Sequence, residues 1–244
     1  MWMQQMFKKP VKRVDSEEIV YDDARWVMLK GYRKKAEHIM AALESACLRT
    51  LVHGSLARGD VTKNSDVDIH LLDPESSFSV ETALEKAKIR FDARQLVQAT
   101  PTHAIKAYIE IDPKTSVSFS LTRMRLVESE FFKFGGETSL EQLKRNVRVP
   151  GVDKRLMLIE PTQRGHIESS IAGREEEVAK ILKVSAETVR NRVRVLLKRD
   201  EVGRTGVFIK KELNVDETFE MALRQLAREN PALRRKVRKI GYEG

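Results

Sequence analysis

An alternating stretch that ends at Leu71 constrains the fold of this chain more than any other part of its sequence. Polar and apolar side chains take turns along it, in the order Asp66, Val67, Asp68, Ile69, His70 and Leu71. A period of two residues is typical of a β-strand that is buried on one face only. The stretch therefore predicts a strand with an apolar face toward a core and two carboxylates on its other face.

A Gly-Ser turn precedes this strand in the sequence. Leu51 and Val52 predict a short buried strand that stops at Gly54 and Ser55. Glycine lets the backbone approach a ligand closely, and Ser55 offers a hydroxyl and an N–H where a helix can begin. Because backbone N–H groups at such a turn can hold a phosphate, the sequence predicts a phosphate-binding turn beside the acidic strand.

The two carboxylates of Asp66 and Asp68 share one face of the strand, and like charges so placed repel each other. A cation relieves that repulsion, and oxygen ligands beside a phosphate suit magnesium. Two such ions can activate the attacking oxygen and stabilise the leaving one in a displacement at phosphorus. A solvated acidic strand or a Gly-Ser turn alone would be unremarkable, but the two together favour a metal and phosphate site.

The segment from Gly54 to Asp68 resembles the signature of the nucleotidyltransferase superfamily, which includes DNA polymerase beta. The matching residues are Gly54, Ser55, Arg58, Gly59, Ser65, Asp66 and Asp68. Their spacing is most similar to that of the minimal nucleotidyltransferases. The wider chain resembles archaeal predicted nucleotidyltransferases that carry a C-terminal winged helix.

This resemblance implies roles for the matching residues. Gly54 and Ser55 would bind the phosphates of a nucleoside triphosphate such as ATP, and Arg58 would support the turn or the phosphates. Asp66 and Asp68 would hold Mg²⁺ or Mn²⁺. His53 stands where the family often has a hydrophobic or aromatic residue.

The family also uses a third carboxylate, which lies in a strand among apolar residues and helps to deprotonate the attacking hydroxyl. Glu110 lies between two isoleucines, but the family normally has Asp at this place. Asp112 is an aspartate and is slightly favoured, as a catalytic and metal-binding residue, although Pro113 puts it at the end of the strand. Asp92 is a weaker candidate, and the choice between Glu110 and Asp112 stays open.

Composition limits the classes of protein to which the chain can belong. It has 244 residues, of which 41% are hydrophobic, and no apolar run of transmembrane length or signal-peptide character. Its one cysteine, Cys47, cannot form an internal disulfide and lies on an apolar stripe that predicts a buried thiol. These features predict a cytoplasmic protein without membrane contact. The net charge of +9 suggests an acidic partner such as nucleic acid.

The resemblance implies an α/β, or α+β, nucleotidyltransferase fold with a mixed sheet over residues 1–160, and the pattern of the chain is consistent with it. An amphipathic helix from Trp26 to Cys47 packs on the sheet. A further helix is expected from Ser79 to Ile89, and strands are expected over residues 104–112 and 117–121.

Residues 161–213 predict a winged helix-turn-helix domain. Two short helices, 175–182 and 186–199, are followed by an expected basic hairpin over residues 201–210. The second helix would enter the major groove of DNA, and the residues expected to contact nucleic acid are Arg190, Asn191, Arg194 and Arg204. Winged helices also serve as protein-interaction modules, in which case these side chains would form a solvated face.

Residues 214–244 predict a helix from Asp216 to Arg228, which Pro231 ends, and then a basic tail. The densest basic cluster of the chain runs from Arg234 to Lys239 and offers a second contact for nucleic acid.

Two functions follow from these features. The first is a magnesium-dependent nucleotidyltransferase that transfers a nucleoside monophosphate to an acceptor hydroxyl and releases pyrophosphate. The second is a DNA-binding transcriptional regulator whose nucleotidyltransferase-like domain senses nucleotide without turnover. The intact Gly54, Ser55, Asp66 and Asp68 favour the enzyme, whereas the undecided third carboxylate favours the sensor.

Overall fold

The computed structural model describes residues 16–203 and 206–238, and these ranges form a mixed α/β structure. The strands within them are β1 (Glu17–Val20), β2 (Thr50–His53), β3 (Val67–Leu71), β4 (Ala93–Gln98), β5 (Ile105–Asp112), β6 (Thr115–Ser120), β7 (Glu137–Ser139), β8 (Gly151–Val152), β9 (Met157–Pro161), β10 (Gly165–Ser170) and β11 (Ile209–Glu212).

Helices connect and cover these strands. They are α1 (Asp23–Ser45), α2 (Ser55–Arg58), α3 (Ser77–Lys86), α4 (Leu126–Gly135), α5 (Leu140–Lys144), α6 (Glu175–Leu182), α7 (Ala186–Val202), α8 (Phe219–Glu229) and α9 (Pro231–Arg238). None of the helices in the described ranges is long and apolar enough to cross a membrane.

The larger sheet has the strand order β11-β4-β5-β6-β3-β2-β7. Its pairs are antiparallel except for β3 and β6, which run parallel. The sheet is therefore mixed, as the sequence predicts.

The two faces of this sheet differ in polarity. Ile69, Val117 and Ile109 point to one face and are fully buried in a core with residues of α1, α3, α8 and α9. Burial of such side chains is worth about 1.5–3 kcal/mol each. The alternate residues of the same strands are mostly polar and lie on the opposite face. The helices α1, α3, α8 and α9 do not cover that face, which is therefore available for a site.

A smaller antiparallel sheet has the order β1-β10-β9-β8. Its core is separate from the first and contains Leu158, Ile171, Val178, Val189 and residues near them from α4, α6 and α7. The predicted boundary between residues 160 and 161 falls within β9, which pairs with β10.

The predicted amphipathic helix is confirmed as α1, but its ends differ. It begins at Asp23 because the side chain of Asp22 accepts a hydrogen bond from the Arg25 N–H at 2.8 Å and caps the helix. It ends at Ser45, so Cys47 lies beyond it in the left-handed region with φ 61°. The thiol is exposed, and the prediction of a buried thiol was wrong.

The two helices predicted for the helix-turn-helix are confirmed as α6 and α7, but the predicted hairpin over residues 201–210 was wrong. Helix α7 continues to Val202, and the strand from Ile209 to Glu212 pairs with β4 at the edge of the larger sheet. In a winged helix, the strand at residues 209–212 would pair with a second strand of the wing. In this chain it pairs with the edge strand β4 instead. Arg204 lies outside the described residues.

The chain after β11 also departs from its prediction. Pro231 begins the separate helix α9 rather than a tail, which suits proline because the first position of a helix needs no N–H donor.

Candidate active site

The predicted phosphate turn joins β2 to α2. Gly54 has φ 77°, which favours glycine, and its N–H donates to the Gly136 carbonyl at 2.9 Å. The Ser55 hydroxyl donates to Ser65 Oγ at 3.1 Å and so ties the turn to the loop before Asp66. The Gly54 N–H is thus occupied, and Ser55 is the residue of the turn that remains for a ligand.

The side chain of Arg58 holds the turn in place through hydrogen bonds. Its side chain is buried, its guanidinium makes two hydrogen bonds to Asp60 at 3.0 and 2.9 Å, and a third goes to the Gly135 carbonyl at 2.6 Å. Of the two roles that the resemblance implies for Arg58, the geometry favours support of the turn.

Asp68 and Glu110 lie in one row across three strands. Asp68 on β3 pairs with Ser116 on β6, and Ser116 pairs with Glu110 on β5. Residues directly opposite each other share a face of a sheet, and the strands are about 4.8 Å apart. The Ser116 hydroxyl donates to Asp68 Oδ1 at 3.0 Å. The row therefore places the Cα atoms of Asp68 and Glu110 about 9.6 Å apart on the open face.

Asp112 belongs to a different row from Glu110 because the register shifts between the two residues. This bulge pairs Asp112 with Thr115, which pairs with the buried Val67 on β3. The Asp112 carboxylate lies 2.6 Å from the Lys35 ammonium on α1. Glu110 and Asp112 are two positions apart, and in a regular strand they would have equivalent surroundings. The bulge instead places Glu110 in the row of Asp68 and Asp112 in the row of Val67.

A pocket of about 330 Å³ opens on the polar face. Its lining includes Asp66, Asp68 and Glu110, and it also reaches Asp112 at the end of β5, next to the turn that leads to β6. Several further lining residues were not singled out from the sequence. The lining residues are Asp66, Asp68, Gln95, Val97, Tyr108, Glu110, Asp112, Pro113, Lys114, Thr115 and Ser116. The Gln95 amide donates to Glu110 and holds that carboxylate in place.

The electrostatics of the pocket favour a bound cation. Burial and then the neighbouring Asp68 carboxylate raise the pKa of Asp66, while Lys154 and Lys114 oppose that rise. The two lysines were not predicted as site residues. Lys114 lies in the tight turn between β5 and β6, but Lys154 precedes β9, far along the chain, so no sequence signal pointed to it.

The donor set of the pocket suits magnesium that arrives with a substrate. The described residues contain no group of three or more His, Cys, Asp or Glu side chains arranged to hold a metal ion. Magnesium is usually held by one or two carboxylates together with substrate phosphates. Asp66 and Asp68 fit that requirement, and phosphates would complete the coordination.

Aromatic side chains of α4 pack beside this site. Val52 pairs with Ile69, so the next residues, His53 and Asp68, are neighbours on the open face. The His53 ring contacts Phe132 at 5.0 Å and Phe131 at 5.9 Å between centroids. Burial lowers the pKa of His53 to about 4, so its ring is neutral near pH 7.

The residues predicted to contact nucleic acid lie apart from the carboxylates in the fold. Arg190 forms an ion pair with Glu176 on α6. Arg190 and Arg194 line a second pocket of about 520 Å³ on the outer side of α7, Asn191 is half-buried beside them, and Arg204 lies outside the described residues.

In the predicted basic tail, some of the basic side chains hold the fold together. Arg234 donates to the carbonyls of Ala227 at 3.2 Å and Arg228 at 2.5 Å, and Lys236 donates to the His103 carbonyl. Lys239 lies beyond the described ranges.

Residues 34–127 match the model of the family described as "Nucleotidyltransferase domain". The matched range contains the Gly54-Ser55 turn, Asp66, Asp68 and Glu110. The match supports a nucleotidyltransferase domain in this part of the chain.

No curated protein matches the sequence. Among solved structures, a chain of "The complex structure of CCA-adding enzyme with ATP" is 14% identical, with a TM-score of 0.32. The alignment covers 93% of this chain and 52% of that chain, so this chain spans about half the length of that one. A likeness this low carries no argument.

Proposed function

We propose that this chain is a metal-dependent nucleotidyltransferase. It transfers a nucleoside monophosphate from a nucleoside triphosphate, such as ATP, to an acceptor hydroxyl and releases pyrophosphate. The observation that carries the proposal is the row of Asp68, Ser116 and Glu110 on the open face beside Asp66 and the Ser55 turn.

Each residue has a role that follows from its place. Ser55 contacts the phosphates of the nucleotide at the turn. Asp66 and Asp68 hold Mg²⁺ or Mn²⁺, with Ser116 orienting Asp68 through its hydrogen bond. When bound, the metal supplies positive charge that stabilises the attacking and leaving oxygens.

Glu110 is the third carboxylate in this proposal. It accepts the proton of the acceptor hydroxyl as the new bond from oxygen to the α-phosphorus forms and the bond to pyrophosphate breaks. Positioning and charge stabilisation provide most of the catalysis, as in phosphoryl transfer generally.

The experiment measures magnesium-dependent pyrophosphate release from a mixture of nucleoside triphosphates, together with the rise in melting temperature that ligand binding causes. Asp68→Asn should abolish both effects. Asp73→Asn makes the same change in charge at an exposed position after β3 and should preserve both. If Asp68→Asn keeps the wild-type rise and release, the metal assignment is wrong.

A second candidate function has an observation of its own. The residue directly across from Asp68 on β6 is a serine, and the nearest carboxylate of that row is one strand further away. A third carboxylate this far from Asp68 is less suited to removing a proton from the acceptor hydroxyl, which favours a nucleotide sensor. Such a sensor would work as a DNA-binding regulator through the α6–α7 helix pair. Its contacts would be Arg190, Asn191, Arg194 and the basic tail. A sensor would bind magnesium and triphosphate without releasing pyrophosphate.

Nucleic-acid binding is tested with the full chain titrated against duplex DNA and duplex RNA at several salt concentrations. If the basic side chains meet phosphates, log affinity falls with log salt by about 0.9 for each phosphate contacted on DNA. Arg194→Ala should relax the preference for a base pair by about 1–3 kcal/mol if it reads a base edge. An absence of binding to either duplex at low salt would remove the regulator.

A further inference from the structure

Arg192 is a charged residue on the inner face of α7. Thr188 and Leu196, four residues before and after it, are buried against the rest of the molecule. Its guanidinium carbon lies 4.6 Å from the centre of the Phe131 ring on α4. An inward-facing arginine between two buried positions is costly unless its charge has a partner.

The α4–α7 contact that places Arg192 is built around Glu130. The Glu130 carboxylate accepts hydrogen bonds from the Ser185 N–H at 3.0 Å, the Ser185 hydroxyl at 2.6 Å and the Thr188 hydroxyl at 2.5 Å. These bonds fix the start of α7 against α4. Arg192 therefore occupies a defined position, one turn beyond the anchored end of its helix.

The guanidinium of Arg192 contacts the Phe131 ring but forms no ion pair or hydrogen bond with the described residues. Its Nε is buried and has no acceptor among them. Burial lowers its pKa to about 10, and the nearby Arg199 adds to that effect. Arg33 and Arg58, which are fully buried, contrast with the half-buried Arg192, because each of them donates to backbone carbonyls or a carboxylate.

Two ring contacts connect Arg192 to the turn and strand of the candidate site. Phe131, which carries Arg192 over its ring, contacts the His53 ring, and His53 adjoins both Gly54 and Asp68. A second cation lies beside the same aromatic rings, because Lys106 Nζ is 4.8 Å from the centre of the Phe132 ring, which contacts His53. Cations on this side of the site suit a ligand with several negative charges.

We propose that Arg192 is a further binding residue of the site and contacts the polyphosphate of the nucleotide from α7. This inference rests on the proposed function. Arginine suits the role because its planar fork presents several donors to phosphate oxygens. Helix α7 then has two faces with different tasks, an outer one with Arg190 and Arg194 and an inner one that completes the nucleotide site.

The test uses the full chain with magnesium and inorganic tripolyphosphate, which removes any effect of the nucleotide base, and then with magnesium and ATP. Arg192→Met keeps the packing of the side-chain stem and should weaken tripolyphosphate binding about tenfold or more, as expected for the loss of a charged hydrogen bond. Arg192→Lys keeps the charge but loses the fork, and should show a smaller loss. Lys198→Met removes one positive charge from an exposed position on the same helix and should bind like the wild type.

The outcomes separate this inference from the proposed function. If the wild type binds tripolyphosphate and both Arg192 variants bind it equally well, Arg192 has a packing role only and the inference is wrong. If Arg192→Met does not fold, unchanged binding by Arg192→Lys is enough to overturn it. If the wild type binds neither tripolyphosphate nor ATP with magnesium, the proposed function fails and the inference fails with it.

Discussion

Glu110 and Asp112 make opposite predictions for two closely matched substitutions. Glu110→Gln and Asp112→Asn each replace a carboxylate with an amide of nearly the same shape. Glu110 shares a row and a face with Asp68, whereas the bulge turns Asp112 toward Lys35 on α1. We therefore expect Glu110→Gln to reduce turnover about 10²- to 10⁴-fold, the usual contribution of a proton-accepting side chain.

Asp112→Asn should act on stability, and only slightly. The Lys35 and Asp112 side chains keep 44% and 33% of their exposure, and a pair so exposed contributes about 0.2–1 kcal/mol. Its turnover should therefore stay within a few-fold of the wild type. Glu110→Gln should keep its melting temperature, because the Gln95 side chain can donate to the carbonyl oxygen of the new amide.

The assay is pyrophosphate release at saturating magnesium and triphosphate, with melting temperatures measured on the same samples. Loss of turnover in Asp112→Asn, with Glu110→Gln active, would refute the reasoning from strand register. Near-wild-type turnover in both variants would remove β5 from the site and direct attention to Asp92.

Three further predictions concern stability. Glu130→Ala should lower the free energy of unfolding in urea at pH 7 by about 1.5–3 kcal/mol, because the Glu130 carboxylate accepts two hydrogen bonds from Ser185. These hydrogen bonds also lower the pKa of Glu130. Their contribution to stability is therefore lost as the pH falls through the pKa of the folded state. His70 is buried and its pKa is lowered to about 3, so this residue alone should lower stability by about 1.4 kcal/mol per pH unit below pH 6. His70→Gln should remove that share of the slope, while the share of His53, whose pKa is lowered to about 4, remains. Gly165→Ala should cost about 1–3 kcal/mol and speed hydrogen exchange in β1, since a Cβ there would lie 1.9 Å from the Ile19 carbonyl oxygen.

The parts of the site that local patterns encode were predictable from the sequence. The alternation from Asp66 to Leu71 predicts a strand with one polar face, and the structure has β3 with Asp68 on the open face. The turn at Gly54 follows in the same way, because an apolar run that ends in Gly-Ser has few other structures. Both signals lie within a span of residues that contact one another directly.

The choice between Glu110 and Asp112 could not be made from the sequence, because one inserted residue decides it. A regular strand sends both carboxylates to the same face, and nothing in the sequence of β5 shows the bulge that separates them. Strand β11 illustrates a similar limit. Its residues predict a strand, but its partner β4 is more than a hundred residues away in the chain.

Arg192 was missed because the helical pattern was read from apolar residues alone. Thr188, Arg192 and Leu196 recur at four-residue steps and so share a face of α7. An arginine at such a position is a signal that sequence reasoning can use, provided that charged residues on inner faces are sought as deliberately as apolar ones.

The pairing of β1 with β10 sets an order of events during protein synthesis. Glu17 pairs with Glu168, so β1 is made early and then has no partner until the chain beyond β9 has been translated. At about 5–20 residues per second, that interval lasts roughly 8–30 s. The nascent chain can assemble β2 to β7 around the acidic strand meanwhile, and β1 joins only afterwards. The expected consequence is a ribosome-bound intermediate with a formed candidate site and an unpaired first strand.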